Sequence, residues 1–190
     1  HEYLATARED QKFGIPLADA PAAVAAIRDR SSLSFLGLHS HIGSQIFAVD
    51  GFLEAARRLL ALHAELRAGG EVPELNLGGG FGIAYVESDE APAIEQVADA
   101  LVGAVARVCG ELSIPMPRIA VEPGRTIIGP AGVTLYLVGT GKDVAVGLDD
   151  GSTAVRRYLS VDGGMSDNAR PALYSADYSV ALASRESDAE

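Results

Sequence analysis

Apolar and polar positions along the chain fall into repeating cycles: a short apolar run, a glycine-marked polar turn, then apolar residues at helical spacing. Phe35-Leu36-Gly37-Leu38 leads into His39-Ser40-His41-Ile42-Gly43-Ser44. A helix is predicted from about Asp50, with Phe52, Ala56, Leu59, Leu60 and Leu66 near one face and Gly69-Gly70 as its stop. Leu75-Asn76-Leu77 leads into Gly78-Gly79-Gly80-Phe81-Gly82. The helix that follows starts near Pro92, with Ile94, Val97, Ala98, Leu101, Val105 and Val108 as its apolar stripe. Ile119-Ala120-Val121 then runs into Glu122-Pro123-Gly124-Arg125. An alanine-rich helix from about Pro21 to Arg30 precedes the first of these strands.

Strands that alternate with helices imply an α/β fold with a parallel sheet and right-handed crossovers. The strand runs are short and nearly all apolar, as expected of strands covered on both faces. Each polar motif falls at the carboxyl end of its strand, the edge where barrels and doubly wound sheets bind ligands. The motifs are therefore expected to converge in space. After about Ile128 the grammar changes. Val133 to Val138 and Tyr158 to Val161 read as strands, and Gly139 to Gly151 as turns and polar linkers. The expected division is a domain over 1–127 and the beginning of a β-rich domain over 128–190.

Composition narrows the function. The chain has 190 residues, is 48% hydrophobic and carries a formal net charge of −11. That charge argues against a nucleic-acid or anionic-membrane surface. No apolar run approaches the roughly 18 residues of a membrane span. The single cysteine, Cys109, cannot form an intrachain disulfide, and a buried thiol in the reducing cytoplasm is the expectation. The chain opens at His1 rather than at a methionine and reads as a piece of something longer.

Each motif has a plain and a chemical reading. The glycine run lets backbone N–H groups approach an anion, typically phosphate, or it is only a tight strand-to-helix turn. It is neither a Walker loop nor a dinucleotide fingerprint. His39 and His41, two apart in an expected strand, could pair on a metal, but no Asp, Glu or Cys lies close by to complete a first shell, so no metal is expected. The other use is an imidazole stacked on a flat ring, with Ser44 donating to a phosphate. His41, nearer the strand end, is the candidate. Glu122 and Arg125 either pair with each other or serve opposite ends of one ligand. Pyridoxal phosphate, with a cationic ring nitrogen and a phosphate, fits the second reading.

Taken in order, His39 to Gln45, Gly78 to Gly82, Glu122 to Arg125 and Asp162-Gly163-Gly164-Met165-Ser166-Asp167-Asn168 resemble the diaminopimelate decarboxylases, of the alanine-racemase-like fold type III pyridoxal-phosphate enzymes. The resemblance covers essentially the whole chain. It implies the later part of a pyridoxal-phosphate-binding (β/α)8 barrel followed by the start of a β-domain. It implies that His41 stacks on the cofactor ring, that Glu122 faces the pyridine nitrogen, and that Ser44, Gly79, Gly80, Pro123, Gly124 and Arg125 surround the cofactor. Arg125 would meet the phosphate or a substrate carboxylate. Arg170 and Tyr174 would hold the substrate's distal carboxylate. The reaction implied is decarboxylation of meso-2,6-diaminopimelate to L-lysine and CO2, by a cytoplasmic homodimer.

The chain departs from the family at the Schiff-base lysine. Only Lys12 and Lys142 are present, and neither lies in the family's catalytic-lysine context, which is expected upstream of His1. The family's active-site cysteine is expected downstream, and Cys109 is not its equivalent. The chain is therefore expected to be an internal fragment, inactive by itself. Rival readings are a decarboxylase of another basic amino acid, of the ornithine or arginine type, and a non-catalytic binding module on the same fold.

Overall fold

A computed structural model of the chain describes residues 13–186, so Lys12 lies outside the described residues. The chain divides into two compact units, one ending at Ala131 and the other starting at Gly132.

The first unit runs α1 (Ala20–Arg28), β1 (Gly37–His39), α2 (Asp50–Leu66), β2 (Glu74–Asn76), α3 (Ile94–Leu112), β3 (Arg118–Ala120) and α4 (Gly124–Ile128). Its strands are parallel and lie side by side in the order β1-β2-β3. The register aligns Leu38, Leu75 and Ile119, then His39, Asn76 and Ala120. Each strand is added on the same side of its predecessor, the progression of a barrel; a doubly wound sheet would reverse at a switch point. Shared register also brings the carboxyl ends level, so the motif loops emerge together.

The strands are displaced slightly from their expected positions. β1 ends at His39, which leaves His41 in the following loop, so the two histidines do not share a strand. Beyond the strands the pairing is carried on by loops. Ile46 and Phe81 form an isolated parallel bridge, the Ile46 N–H donating to the Gly80 carbonyl at 2.9 Å and the Gly82 N–H to the Ile46 carbonyl at 3.0 Å. The short helix α4, after Pro123, was not expected; proline at a helix start costs no hydrogen bond because its missing N–H would be unpaired there.

The core lies between the sheet and the two long helices. Phe52, Ala56, Leu59, Leu60 and Leu66 of α2 are all buried, as the periodicity predicts. On α3 the buried stripe is Val97, Leu101, Ala104, Val105, Val108 and Cys109. Ile94 and Ala98, assigned to that stripe from the pattern, are exposed because they lie at its margin. Leu75 and Leu77 lie beneath these helices, essentially without solvent contact. Phe52 stacks on Phe81 with ring centroids 4.8 Å apart, tying α2 to the loop after β2. Arg28 closes the far end of α2: its Nη1 donates to the Leu66 carbonyl at 3.0 Å and its Nη2 to that of Glu71 at 2.9 Å. The last-turn carbonyls that a helix leaves unpaired thus gain a charged donor.

His63 is fully buried on α2. Its Nε2–H donates to the Val72 carbonyl at 2.8 Å, while Nδ1 is buried without a partner among the described residues. Protonating Nδ1 would create a buried donor with nothing to receive it, and burial accordingly lowers the pKa of this histidine. A lowered folded-state pKa means the unfolded chain takes up the proton first. The contribution is complete above the unfolded value of about 6.5 and is lost as pH falls through that value toward the folded one. Denaturant unfolding should therefore show lower stability at pH 5 than at pH 7.5, and His63→Gln, which keeps a donor for Val72, should remove much of that slope. An unchanged slope in the variant would exclude His63 as its source.

The second unit contains β4 (Val138–Gly147), β5 (Thr153–Val161) and α5 (Arg170–Tyr174). The two strands form an antiparallel hairpin with an irregularity between Val138 and Gly141. This corrects the sequence expectation twice. Val133 to Leu137 lie outside any strand, and most of the stretch read as turns is β4. Cross-strand partners explain the difference. Arg157 forks onto Asp143 directly opposite, with contacts of 2.6 and 2.7 Å, and the Thr140 N–H donates to Ser160 Oγ at 2.7 Å. Glycine suits this ladder, since a Cβ on Gly139 would lie 2.6 Å from Ser160 Oγ. Local propensity penalises glycine in strands, and the opposing strand overrides it.

Candidate active site

The loops after β1, β2 and β3 interleave through the glycines of the middle one. A Cβ on Gly78 would lie 2.3 Å from the Ser40 carbonyl oxygen, on Gly79 2.2 Å from that of Glu122, and on Gly80 2.0 Å from that of Gly43. Gly78 and Gly80 also have φ of 69° and 93°, which side chains disfavour. The run is therefore a tight turn by necessity, because backbones from both neighbouring loops press on it. It also sets Ser44 beside Gly80, the Ser44 Cα lying 3.5 Å from where a Gly80 Cβ would be.

Hydrogen bonds join the same loops. The Gly79 N–H donates to His41 Nδ1 at 3.3 Å, so a neutral His41 carries its proton on Nε2. The Glu122 N–H donates to the Gly78 carbonyl at 2.7 Å. Asn76, the last residue of β2, works in both directions: its Oδ1 accepts from the Gly78 N–H at 2.9 Å and its Nδ2 donates to Glu122 Oε1 at 3.0 Å. His39 Nε2 lies 3.4 Å from that same carboxylate oxygen. The Glu122 side chain remains 52% exposed, so its second oxygen has room for a ligand.

Glu122 and Arg125 do not pair with each other among the described residues. Arg125, on α4 after Pro123 and Gly124, donates from Nη1 to Gln45 Oε1 at 3.0 Å, and its guanidinium carbon is 5.8 Å from the Tyr85 ring centroid. Separate partners therefore hold the carboxylate, in the loop after β3, and the guanidinium, on α4.

The rim thus gathers His41, Ser44, Gly79, Gly80, Glu122, Pro123, Gly124 and Arg125 from the ends of three successive strands. Arg170 and Tyr174 belong to the second unit, on α5, with the guanidinium carbon 5.6 Å from the Tyr174 ring centroid. Sequence reasoning overlooked Asn76, His39 and Gln45 as partners of the charged pair. An Asn two positions before a glycine at a strand end was a usable signal for Asn76, since Asx side chains bond the backbone two residues on. Among the described residues no group of three or more His, Cys, Asp or Glu could hold a metal ion, and no helix is long and apolar enough to cross a membrane.

The donor set suits a flat cationic heterocycle bearing a phosphate. It offers a carboxylate on one side, an imidazole from the adjoining loop, and a hydroxyl, glycine backbone and guanidinium around them. Comparison with known proteins gives the same chemistry. Residues 1–129 match the family model described as "Pyridoxal-dependent decarboxylase, pyridoxal binding domain". Diaminopimelate decarboxylase of Corynebacterium efficiens is 49% identical over 194 residues, covering 100% of this chain and 41% of that protein. That of Mycobacterium tuberculosis is 49% identical over 198 residues, covering 100% of this chain and 43% of its own length. The chain thus spans about two-fifths of the length of these relatives. Among solved structures, the M. jannaschii diaminopimelate decarboxylase in co-complex with L-lysine superposes with a TM-score of 0.74 at 30% identity, over 94% of this chain and 39% of that one. Its fold is the α/β barrel whose strand progression is seen here. From the matched residues, the parallel strand order and the loops that converge at the strand ends, the chain belongs to the pyridoxal-dependent decarboxylases, its residues 1–129 matching their pyridoxal-binding domain.

Proposed function

We propose that this chain forms the pyridoxal phosphate site of a diaminopimelate decarboxylase, and that the complete protein converts meso-2,6-diaminopimelate to L-lysine and CO2. The observation that carries this reading is the Glu122 carboxylate, held by Asn76 and approached by His39, level with His41 and the Ser44–Gly80 pair. The curated relatives at 49% identity bear that enzyme's name, and the M. jannaschii structure is a complex with L-lysine, the product expected here.

When bound, pyridoxal phosphate supplies an electron sink for the carbon that loses CO2. Glu122 holds a proton on the pyridine nitrogen, and a carboxylate does this better than any neutral acceptor because it stabilises the charged form. His41, its Nδ1 occupied by the Gly79 N–H, presents the face of its ring. Ser44 and the backbone of Gly80 receive the phosphate, with Gly79 beside them holding His41. Arg125 binds an oxyanion of cofactor or substrate. Arg170 and Tyr174 are assigned to the substrate carboxylate that is retained. The Schiff-base lysine is assigned to a part of the protein other than this chain, and the working form to a homodimer.

The test is a substrate panel on the full-length protein loaded with pyridoxal phosphate. Lysine and CO2 should form from meso-diaminopimelate, with turnover of ornithine and arginine at least 100-fold lower. Efficient turnover of either of those instead would assign the protein to another branch of the family, and no turnover of any would favour a binding module.

A further inference from the structure

Gln45 adopts φ of 58°, one of three non-glycine residues with positive φ among those described, and it lies in the loop between Ser44 and the Ile46–Phe81 bridge. A residue with a Cβ is held there against its preference, so something else over-determines the conformation. Its side chain supplies the reason. The amide Nε2–H donates to the Ile83 carbonyl at 2.6 Å, and Oε1 accepts the Ile83 N–H at 3.3 Å, so the side chain pairs with both polar groups of one residue in the loop after β2. The same Oε1 accepts from Arg125 Nη1 at 3.0 Å. One half-buried amide therefore ties together segments following all three strands.

We infer that Gln45 is a positioning residue for Arg125, aiming the guanidinium at the oxyanion of the bound ligand; this rests on the pyridoxal phosphate reading above. The geometry carries the inference further than a loop staple would require. Pairing with Ile83 alone would already fix the loop, yet Oε1 takes a second, charged donor. With the guanidinium held at Nη1 and laid over Tyr85, its Nε and Nη2 take no protein partner among the described residues. An anion can then be met by a planar fork without first immobilising a flexible chain, and that ordering cost is what preorganisation removes. The oxyanion is either the cofactor phosphate or a substrate carboxylate.

The experiment uses the full-length enzyme with Q45G, Q45N, R125A and the double variant Q45G/R125A. Both Gln45 variants tolerate positive φ and neither reaches Arg125, so they should behave alike, with melting temperature recorded as a check on folding. Each should weaken one ligand about ten-fold, as expected for losing a hydrogen bond to a charged group. If the oxyanion is phosphate, the Kd of pyridoxal phosphate for the apo-protein rises. If it is a carboxylate, that Kd holds while the Kd of L-lysine and the KM for diaminopimelate rise with little change in kcat. In either case Q45G should add nothing once Arg125 is alanine, the signature of two residues acting through one contact. Unchanged affinities in both Gln45 variants, or a full-sized loss from Q45G in the R125A background, would reduce Gln45 to a loop staple and overturn the inference alone. An R125A enzyme with both affinities intact would overturn the assignment of Arg125 as well.

Discussion

Glu122→Gln in the full-length enzyme is expected to lower kcat for meso-diaminopimelate by about 100- to 1,000-fold, the range seen when one preorganised electrostatic group is removed from an active site. The substitution preserves shape: the amide can still accept from Asn76 Nδ2, which now contacts Glu122 Oε1 at 3.0 Å. What it removes is the charge proposed to keep a proton on the ring nitrogen. Because the side chain is 52% exposed and contributes nothing to the core, the melting temperature should barely move. Glu122→Asp separates charge from reach. It retains the carboxylate but draws it back by one methylene, away from Asn76 and His39, and an intermediate loss is expected. Steady-state lysine formation for both variants checks this, and a kcat for Glu122→Gln within a few-fold of the parent would remove the carboxylate from the chemistry.

The second large effect concerns the loop that holds the rim together. Gly80→Ala would put a Cβ 2.0 Å from the Gly43 carbonyl oxygen, at a residue with φ of 93°. Neither obstacle is a flexible side chain, so relief requires one loop to move off the other, breaking the Ile46 N–H to Gly80 carbonyl bond at 2.9 Å. Overpacking and forbidden backbone together should cost about 3 kcal/mol or more. For a chain of this size that is a fall in Tm of roughly 6–12 °C. Pyridoxal phosphate binding should be lost with it, since Ser44 is placed by the same approach. Gly103→Ala is the contrasting control. Gly103 is exposed in the middle of α3 with nothing within 4 Å of an added Cβ, and alanine there should stabilise the helix by about 0.5–1 kcal/mol. Equal melting temperatures for the two variants would show that the loop yields more readily than its contacts imply.

Most of the first unit could be read from residue pattern. The faces of α2 and α3 follow from apolar residues every three or four positions, and the parallel order from the alternation of strand and helix. The hairpin was less legible, because Gly139, Gly141 and Gly147 signal turns locally and only pairing with β5 makes them strand. The relation of Glu122 to Arg125 was legible only as a choice. Three positions apart, they could pair or serve opposite ends of one ligand, and only the long-range partners Asn76 and Gln45 show that they do not pair.

The sequence by itself determined which chemistry gathers at the strand ends, because strand period, helix period and glycine turns are local properties of neighbouring residues. Only the tertiary structure decided who holds whom: Gln45 to Ile83 across 38 positions, Asn76 to Glu122 across 46, and Gln45 to Arg125 across 80. Such contacts depend on strand register and on how closely two backbones approach. Those are set when the whole sheet closes over its core, and no single segment encodes them.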